Sequence, residues 1–563
     1  MDLPITPEPN LALYTRELLK AQFRADVAAG AARPTVFPFD LLGTVLLPVI
    51  YLCIPHTSRP WLYRLRFAVV ALMVWLNYNM MTRASSVNMA AAYLTGLAGT
   101  WGTLWGITLL VWTRPQFEAE RVDRRLEMAV EGEDNKTDGR NGHANGGLVQ
   151  RRPNGTASKP KETAQQPSLS DAPDETVADA FAAGYTYYWQ SYPANAPLST
   201  RLDWVWDHMT SFRGIGWTTS ITSVPSFMCP SERLSSATVD LASIPTRTQT
   251  GYIRHTTRRS FLLHLGPRMT ISYIILDATT LLMLHDPYFV LGPPVSPHSP
   301  YPGLPPYLSL LSPHTLSILR SSLALTAIIS ALYLLFSAAQ VIQFALSHSS
   351  PRALRLSGCR ADLWQYPSVF GSFASNVLDY GLSGFWGGWW HQTFRGAFVA
   401  PTNWLVRHGY LPGDKRHPRR KFVSAAIAFA QSGMLHAGGS FTTVSRTARW
   451  WSPPCFFLLS LVGVLVQDGW NKMLLGRERR ESFPRWVRRG ANGVFVLVWL
   501  HCTQWLFVED LSRAGVWLYE PLPWSPLRAL GYGLPGERSC RWDGDVLPRL
   551  WMGGRWWERG VAI

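Results

Sequence analysis

Apolar residues in this chain are gathered into blocks rather than set at amphipathic intervals. About 20 apolar residues suffice to cross a hydrocarbon core. On that measure the pattern predicts eight spanning helices, at 37–55, 65–81, 93–112, 268–286, 316–346, 421–440, 455–469 and 490–509. Block 268–286 contains Asp277 and block 455–469 is short, whereas 316–346 exceeds one crossing and predicts tilt or an extension into water. Residues 131–176 have almost no large apolar side chains and are rich in Gly, Asn, Lys, Glu, Ser and Pro, a composition that predicts a disordered linker. Aromatic residues return near 181 (Tyr185, Tyr187, Tyr188, Trp189). They continue through Arg201-Leu-Asp-Trp-Val-Trp-Asp207 and Phe212-Arg213-Gly-Ile-Gly-Trp217, so 181–267 is expected on a membrane surface. Prolines in 287–313 exclude regular helix and predict an extended loop on the opposite face. No internal repeat is visible.

Only 16% of the 563 residues are charged, where a soluble chain this long would carry about a quarter. The fold class is therefore an all-α, polytopic integral membrane protein, with about eight transmembrane helices and interfacial helices on the cytoplasmic side. It divides into a transmembrane section at 1–112, a polar linker at 113–180 and a membrane core at 181–563. Residues 1–36 lack an apolar core followed by a small-residue cleavage site, so the first span is expected to act as an uncleaved anchor.

The net charge is +16, and its placement sets the orientation. Basic residues crowd 347–420 and 470–489, on the same face as the loop 113–267, which the positive-inside rule makes cytoplasmic. This charge could serve only topology and anionic lipid headgroups, or could also receive a phosphate-bearing cosubstrate. Nucleic acid is not expected, since no soluble basic module accompanies the charge. Two glycosylation sequons, at Asn135 and Asn154, fall in the cytosolic linker and would stay unmodified. Six scattered cysteines support neither a disulfide framework nor a zinc site.

Two stretches carry the chemistry. In Gln431-Ser-Gly-Met-Leu-His436-Ala-Gly-Gly439 a histidine sits at membrane depth, where ionisable residues are expensive and usually functional. In a helix, Ser432 and His436 share a face one turn apart, and the small residues around them let a substrate or another helix come close. As a general base, His436 could contribute roughly 10²–10⁴-fold; alternatively it is a structural histidine bonding a carbonyl between helices. In Phe385-Trp-Gly-Gly-Trp-Trp-His391-Gln392 a second histidine follows three tryptophans, and helical spacing would place Gly387, His391 and Arg395 on one face. That stretch could be an interfacial anchor, or His391 could orient an acyl donor and steady charge in the transition state. Asp277, Asp468 and Glu509-Asp510 lie in or at the ends of spans and read mainly as caps. Asp277 and the corner His285-Asp286-Pro287-Tyr288 also read as support around the active cavity, and His501 as packed. Neither a metal-spaced cluster nor a cofactor motif is present.

Taken in order, these residues resemble the wax-synthase-like branch of the membrane-bound O-acyltransferases, especially the fungal members that acylate specialised metabolites. The resemblance runs over about 200–563, through Arg213-Gly-Ile-Gly-Trp217, His285-Asp-Pro-Tyr-Phe289, Trp364…Pro367…Phe370-Gly371, Phe385-Trp-Gly…Trp390-His391-Gln392…Phe394-Arg395, Ser432-Gly…His436 and Arg555-Trp-Trp…Gly560-Val-Ala-Ile563. It implies that His436 is the catalytic histidine and His391 the second active-site position. Trp386, Trp390, Gln392, Arg395 and Ser432 would contact substrate. Acyl-CoA, acetyl-CoA first, would be a cosubstrate entering from the cytosol, with no bound cofactor, and a lipophilic alcohol would arrive through the membrane. Gly388 and Trp389 stand where many relatives carry two arginines, so Arg395 becomes the first candidate for the donor's phosphates. The expected activity is acyl transfer, most simply acetyl, to a terpenoid or polyketide hydroxyl in the endoplasmic reticulum. Long-chain wax or sterol ester synthesis and a histidine-dependent transporter are the alternatives.

Overall fold

The computed structural model describes residues 10–126, 174–227, 236–293, 304–349, 358–473 and 482–563, apart from 543, 545 and 546. The sequons, most of the expected linker and part of the proline-rich loop lie outside the described residues. The principal helices are α1 (Leu11–Ala28), α2 (Arg66–Arg83), α3 (Met89–Ile107), α4 (Leu198–Thr210), α5 (Arg258–His285), α6 (Pro313–Ser349), α7 (Arg395–Arg407), α8 (Pro418–Phe441), α9 (Ser452–Met473), α10 (Arg485–Thr503) and α11 (Trp505–Arg513).

Among the described residues, four helices are long and apolar enough to cross a membrane: Pro60–Arg83, Met89–Trp112, Pro313–Ser347 and Ser452–Lys472. A fifth results if α10 and α11, bent by 42°, count as one span. The expected eight spans are thus not reached by length and composition. The segment Phe39–Cys53 is apolar but short. Segments 268–286 and 421–440 do fall within long helices, but α5 carries Arg258, Arg259, Arg268 and Asp277, and α8 opens on Arg419-Arg420-Lys421. Polar residues inside these segments, Arg268 and Asp277 in α5 and Gln431 and His436 in α8, lower the hydropathy without ending the helix.

α8 packs between α3 and α9, with α7 and α11 beside it, while α5 and α6 pair as a hairpin. The closest approach is between α3 and α8, where a Cβ on Gly96 would come within 1.9 Å of the Gly438 carbonyl oxygen. Buried carboxylates also anchor the chain. Asp286 takes two bonds from Arg320 (2.6 and 2.7 Å), and Asp277 accepts from the Leu527 N–H at 3.0 Å. Asp468 pairs with Lys472 on the surface, and His501 meets Ser321 Oγ at 2.8 Å across α6 and α10. Asp286, Asp277 and His501 thus tie separate elements together, whereas the Asp468 pair stays within α9.

Residues 115–126, placed within the linker by composition, form a short helix and a strand. The strand Arg121–Leu126 pairs antiparallel with Tyr185–Gln190. This pair belongs to a cap whose core includes Val122, Trp189, Tyr252 and Trp364, and α4 joins it through Asp203 and Arg121. Arg121 is buried there at 2% exposure, and Asp123 (3.0 Å) and Asp203 (2.6 Å) compensate its charge. The motif Arg213-Gly-Ile-Gly-Trp217 is a turn of the cap. Gly214 and Gly216 have φ of +64° and +77°, and a Cβ on Gly216 would lie 2.7 Å from the Trp364 ring, which is why glycine stands at both places.

Candidate active site

α8 starts where Pro418 fixes the first turn and the His417 ring accepts from the Arg419 N–H at 3.2 Å. It then runs unbroken past His436, so Ser432 and His436 lie one turn apart on one face, both half-buried. The His436 ring stacks on Phe457 of α9 (centroids 5.3 Å, planes 10° apart) and meets Phe507 of α11 edge-on at 4.8 Å. From the opposite side α3 contributes Tyr93, whose Oη is 3.2 Å from His436 Nδ1 and 3.3 Å from the His436 carbonyl oxygen. Sequence reasoning did not single out Tyr93. The available signal was the small-residue stripe facing it, Gly438-Gly439 on α8 and Gly96 on α3.

His391 is placed differently from the expected helical face. Phe385–Trp389 forms a π-helical turn, Trp390 leaves it with extended backbone (φ −55°, ψ 147°), and α7 starts only at Arg395. Two adjacent glycines weaken α-helix here. The space a Gly388 Cβ would need is taken by Asn376, with Oδ1 only 2.2 Å away. Asn376 is itself fixed, donating to the carbonyls of Thr250 (2.8 Å) and Ser372 (2.6 Å). His391 therefore sits on a non-helical turn, enclosed by Trp390 (5.5 Å), Phe336 (5.2 Å) and Phe394 (5.6 Å). Its Nδ1 is buried and has no hydrogen-bond partner among the described residues.

A continuous set of rings joins the two imidazoles. Phe457 lies 5.7 Å from Trp386, Trp386 is 5.7 Å from Trp390, and Trp390 in turn borders His391. Trp386 Nε1 is also buried without a partner among the described residues. Gln392 is occupied in bracing the turn: its amide donates to the carbonyls of Trp386 (3.2 Å) and Trp390 (2.5 Å), and its oxygen accepts from Arg395 Nη1 at 2.7 Å. Arg395 also donates to the Gly387 carbonyl. Arg213, in the glycine turn of the cap, donates to the carbonyls of Ser368 (3.2 Å) and Pro367 (3.5 Å). Tyr252 lies near both arginines, and neither forms an ion pair with a carboxylate among the described residues. Asp510 belongs to this end of the bundle as a brace, accepting from Ser440 Oγ (2.9 Å) and the Arg449 N–H (2.7 Å).

The arrangement offers an imidazole with one edge held, a second with a free buried nitrogen, and an apolar lining between them. Comparison with known proteins falls on the same place. Residues 366–459 match the membrane bound O-acyl transferase family. That segment contains both histidines, and the resemblance read from the sequence is to this family. Similar proteins include an acetyltransferase of Aspergillus nanangensis, 37% identical over 13% of this chain and 16% of the relative. An acetyltransferase of Arthrinium sp is 27% identical over 31% of this chain and 40% of the relative. An O-mevalon transferase of Aspergillus niger is 22% identical over 61% of this chain and 66% of the relative. The chain thus covers less than two thirds of each of these fungal relatives. No solved structure matches it.

Proposed function

We propose that this protein is an O-acyltransferase that moves an acyl group, acetyl in the first instance, from acyl-CoA to a hydroxyl of a lipophilic metabolite such as a terpenoid or polyketide. The observation that carries the reading is that one continuous set of aromatic rings joins His436 and His391 inside the segment that matches the family. The relatives' names, acetyltransferase and O-mevalon transferase, support transfer to oxygen and a small acyl group.

In this mechanism His436 accepts the proton of the acceptor hydroxyl as its oxygen bonds to the thioester carbonyl carbon. The C–S bond breaks, and the imidazolium returns the proton to the departing thiolate. No acyl-enzyme forms. His391 has an unmet buried nitrogen, and leaving such a group without a partner costs about 1–3 kcal/mol. A hydrogen bond with the bound donor would remove that cost and orient the carbonyl. Trp386, Trp390 and the Ser432 face of α8 would line the path. Arg395 and Arg213, guanidiniums held by carbonyls and one amide oxygen, are suited to the donor's phosphates on the cytoplasmic side. Gln392 would act through the turn it braces. The endoplasmic reticulum suits a membrane enzyme drawing on cytosolic acyl-CoA.

The test uses microsomes containing the protein or its His436→Ala variant at equal abundance, given labelled acetyl-CoA or palmitoyl-CoA and a pool of hydrophobic alcohols. An organic-soluble labelled ester made only by the unmutated protein is expected. The accepted donor separates acetyl transfer from long-chain ester synthesis. Ester formation indifferent to His436 would sink the mechanism.

A further inference from the structure

Tyr93 Oη lies within reach of two atoms of the same residue, Nδ1 and the carbonyl oxygen of His436. A tyrosine hydroxyl has one proton to donate and lone pairs with which to accept, whereas a carbonyl oxygen only accepts. A single assignment makes both contacts attractive: Tyr93 donates to the carbonyl, and the imidazole donates Nδ1–H to Tyr93 Oη. Donation into Nδ1 instead would leave two oxygens facing each other at 3.3 Å with no proton between them. The first assignment leaves the imidazole lone pair on Nε2. We propose that Tyr93 is a positioning residue of this site, fixing the tautomer and ring orientation of His436 so that Nε2 is the proton acceptor.

Two further features of the fold hold Tyr93 in this place. A Cβ on Gly439 would come 2.6 Å from Tyr93 Cε1 and 2.7 Å from Cζ, so glycine three residues after the histidine makes room for the ring. The register of α3 against α8 is pinned one residue away. Thr442 Oγ1 donates to the Ala92 carbonyl at 2.6 Å, and Ser85 Oγ donates to the Thr442 carbonyl at 2.6 Å. The other rings against His436, Phe457 and Phe507, offer no hydrogen-bonding atom, so among the described residues the tyrosine is the polar restraint on the imidazole. The general logic is that of a base whose far nitrogen is held by a third group.

The catalytic part of this inference rests on the proposed acyl transfer; the tautomer does not. During transfer Nε2 takes the hydroxyl proton and returns it to the thiolate, while Nδ1–H stays on Tyr93.

Tyr93→Phe keeps the ring and its packing over Gly439 and removes only the hydroxyl. The expected result is kcat lower by about tenfold, part of the roughly 10²–10⁴-fold a general base supplies, with the KM for acyl-CoA and the melting temperature unchanged. Gly439→Ala, which displaces the ring, should lower kcat as well and add little to Tyr93→Phe, as expected for two changes acting through one contact. Independently of activity, ¹⁵N solid-state NMR of histidine-labelled protein in lipid reads the tautomer, with the His436 signals identified by their loss in His436→Ala. A neutral ring protonated on Nδ1, becoming a mixture in Tyr93→Phe, is expected. A ring protonated on Nε2 in the unmutated protein, or an unchanged kcat in Tyr93→Phe, would overturn the proposal. Full transfer by His436→Ala would instead remove His436 as the base, and no transfer by the unmutated protein would remove the acyl-transfer reading; in either case the spectra would still decide the role of Tyr93.

Discussion

The two histidines of this site are held in opposite ways. His436 sits on an unbroken 24-residue helix and has one nitrogen engaged by a tyrosine from a neighbouring helix. His391 sits where helix gives way to an irregular turn, held by tryptophan and phenylalanine rings, and its buried Nδ1 has no partner among the described residues. A residue that must move a proton in a fixed direction gains from a rigid support and a set tautomer. One that must bond a substrate gains from an open nitrogen. On the proposed reading, the difference in support matches different tasks for two identical side chains.

The sharpest way to break this comparison is at His391. If it steadies charge as the thioester is attacked, His391→Ala should lower kcat by about 10²–10³-fold, the usual cost of losing one such donor. His391→Asn, which keeps an N–H to donate, should recover part of that. Steady-state kinetics in microsomes with acyl-CoA varied would measure both. If only the KM rises and kcat holds, His391 binds the donor equally in ground and transition states, and its distinction from His436 is one of binding rather than chemistry.

How far the sequence reveals this contrast depends on the range of the contacts involved. α8 was legible because the apolar run 421–440 is a local signal, and so was the Ser432–His436 face. The count of eight spans is not reached by length and composition, because polar residues inside the apolar blocks, such as Asp277 in α5 and His436 in α8, lower their hydropathy. The π-turn at 385–389 was hidden because it depends on Asn376 filling the place of a Gly388 side chain, a packing fact between segments. Tyr93 was hidden for the same reason: its contact with His436 spans 343 positions. The turn at Arg213-Gly-Ile-Gly-Trp217 was visible as a motif, but its glycines make sense only beside Trp364.

A smaller effect sharpens the account of the His391 turn. With Asn376 Oδ1 at 2.2 Å from where a Gly388 Cβ would stand, Gly388→Ala must displace Asn376 and its bonds to Thr250 and Ser372. Overpacking of this kind costs about 1–3 kcal/mol, so the variant should show a lower melting temperature and a several-fold loss of transfer, through a shifted His391. Gly388→Arg, which would restore one of the relatives' basic residues, should fare worse rather than better. Improved acyl-CoA binding by that arginine variant would show that the turn is plastic and that the pocket can take a basic residue there.

The smallest effect on catalysis is expected in the cap, where a carboxylate contrasts with both histidines by serving structure alone. Asp362 is fully buried and accepts from Tyr187 Oη (2.9 Å), Trp364 Nε1 (3.2 Å) and Arg124 Nη1 (3.3 Å). Burial pushes its carboxyl up to about 7, with Arg124 and the Tyr187 and Trp364 hydrogen bonds pulling the other way. An unfolded aspartate titrates near 3.9, so between about pH 4 and 7 the folded chain holds a proton that the unfolded chain has released. Stability from this group is therefore fully present below about pH 4 and is lost as pH rises through about 7, then levels off. Melting temperatures in detergent from pH 4.5 to 8 should show this decline, and Asp362→Asn should flatten it. The variant should melt lower throughout, because an amide cannot accept from all three donors. Transfer per folded molecule at pH 7 should be unchanged. A slope as steep in the asparagine variant would mean that other buried carboxyls of the cap carry the pH dependence, Asp203 foremost, which burial raises to about 6 despite Arg121.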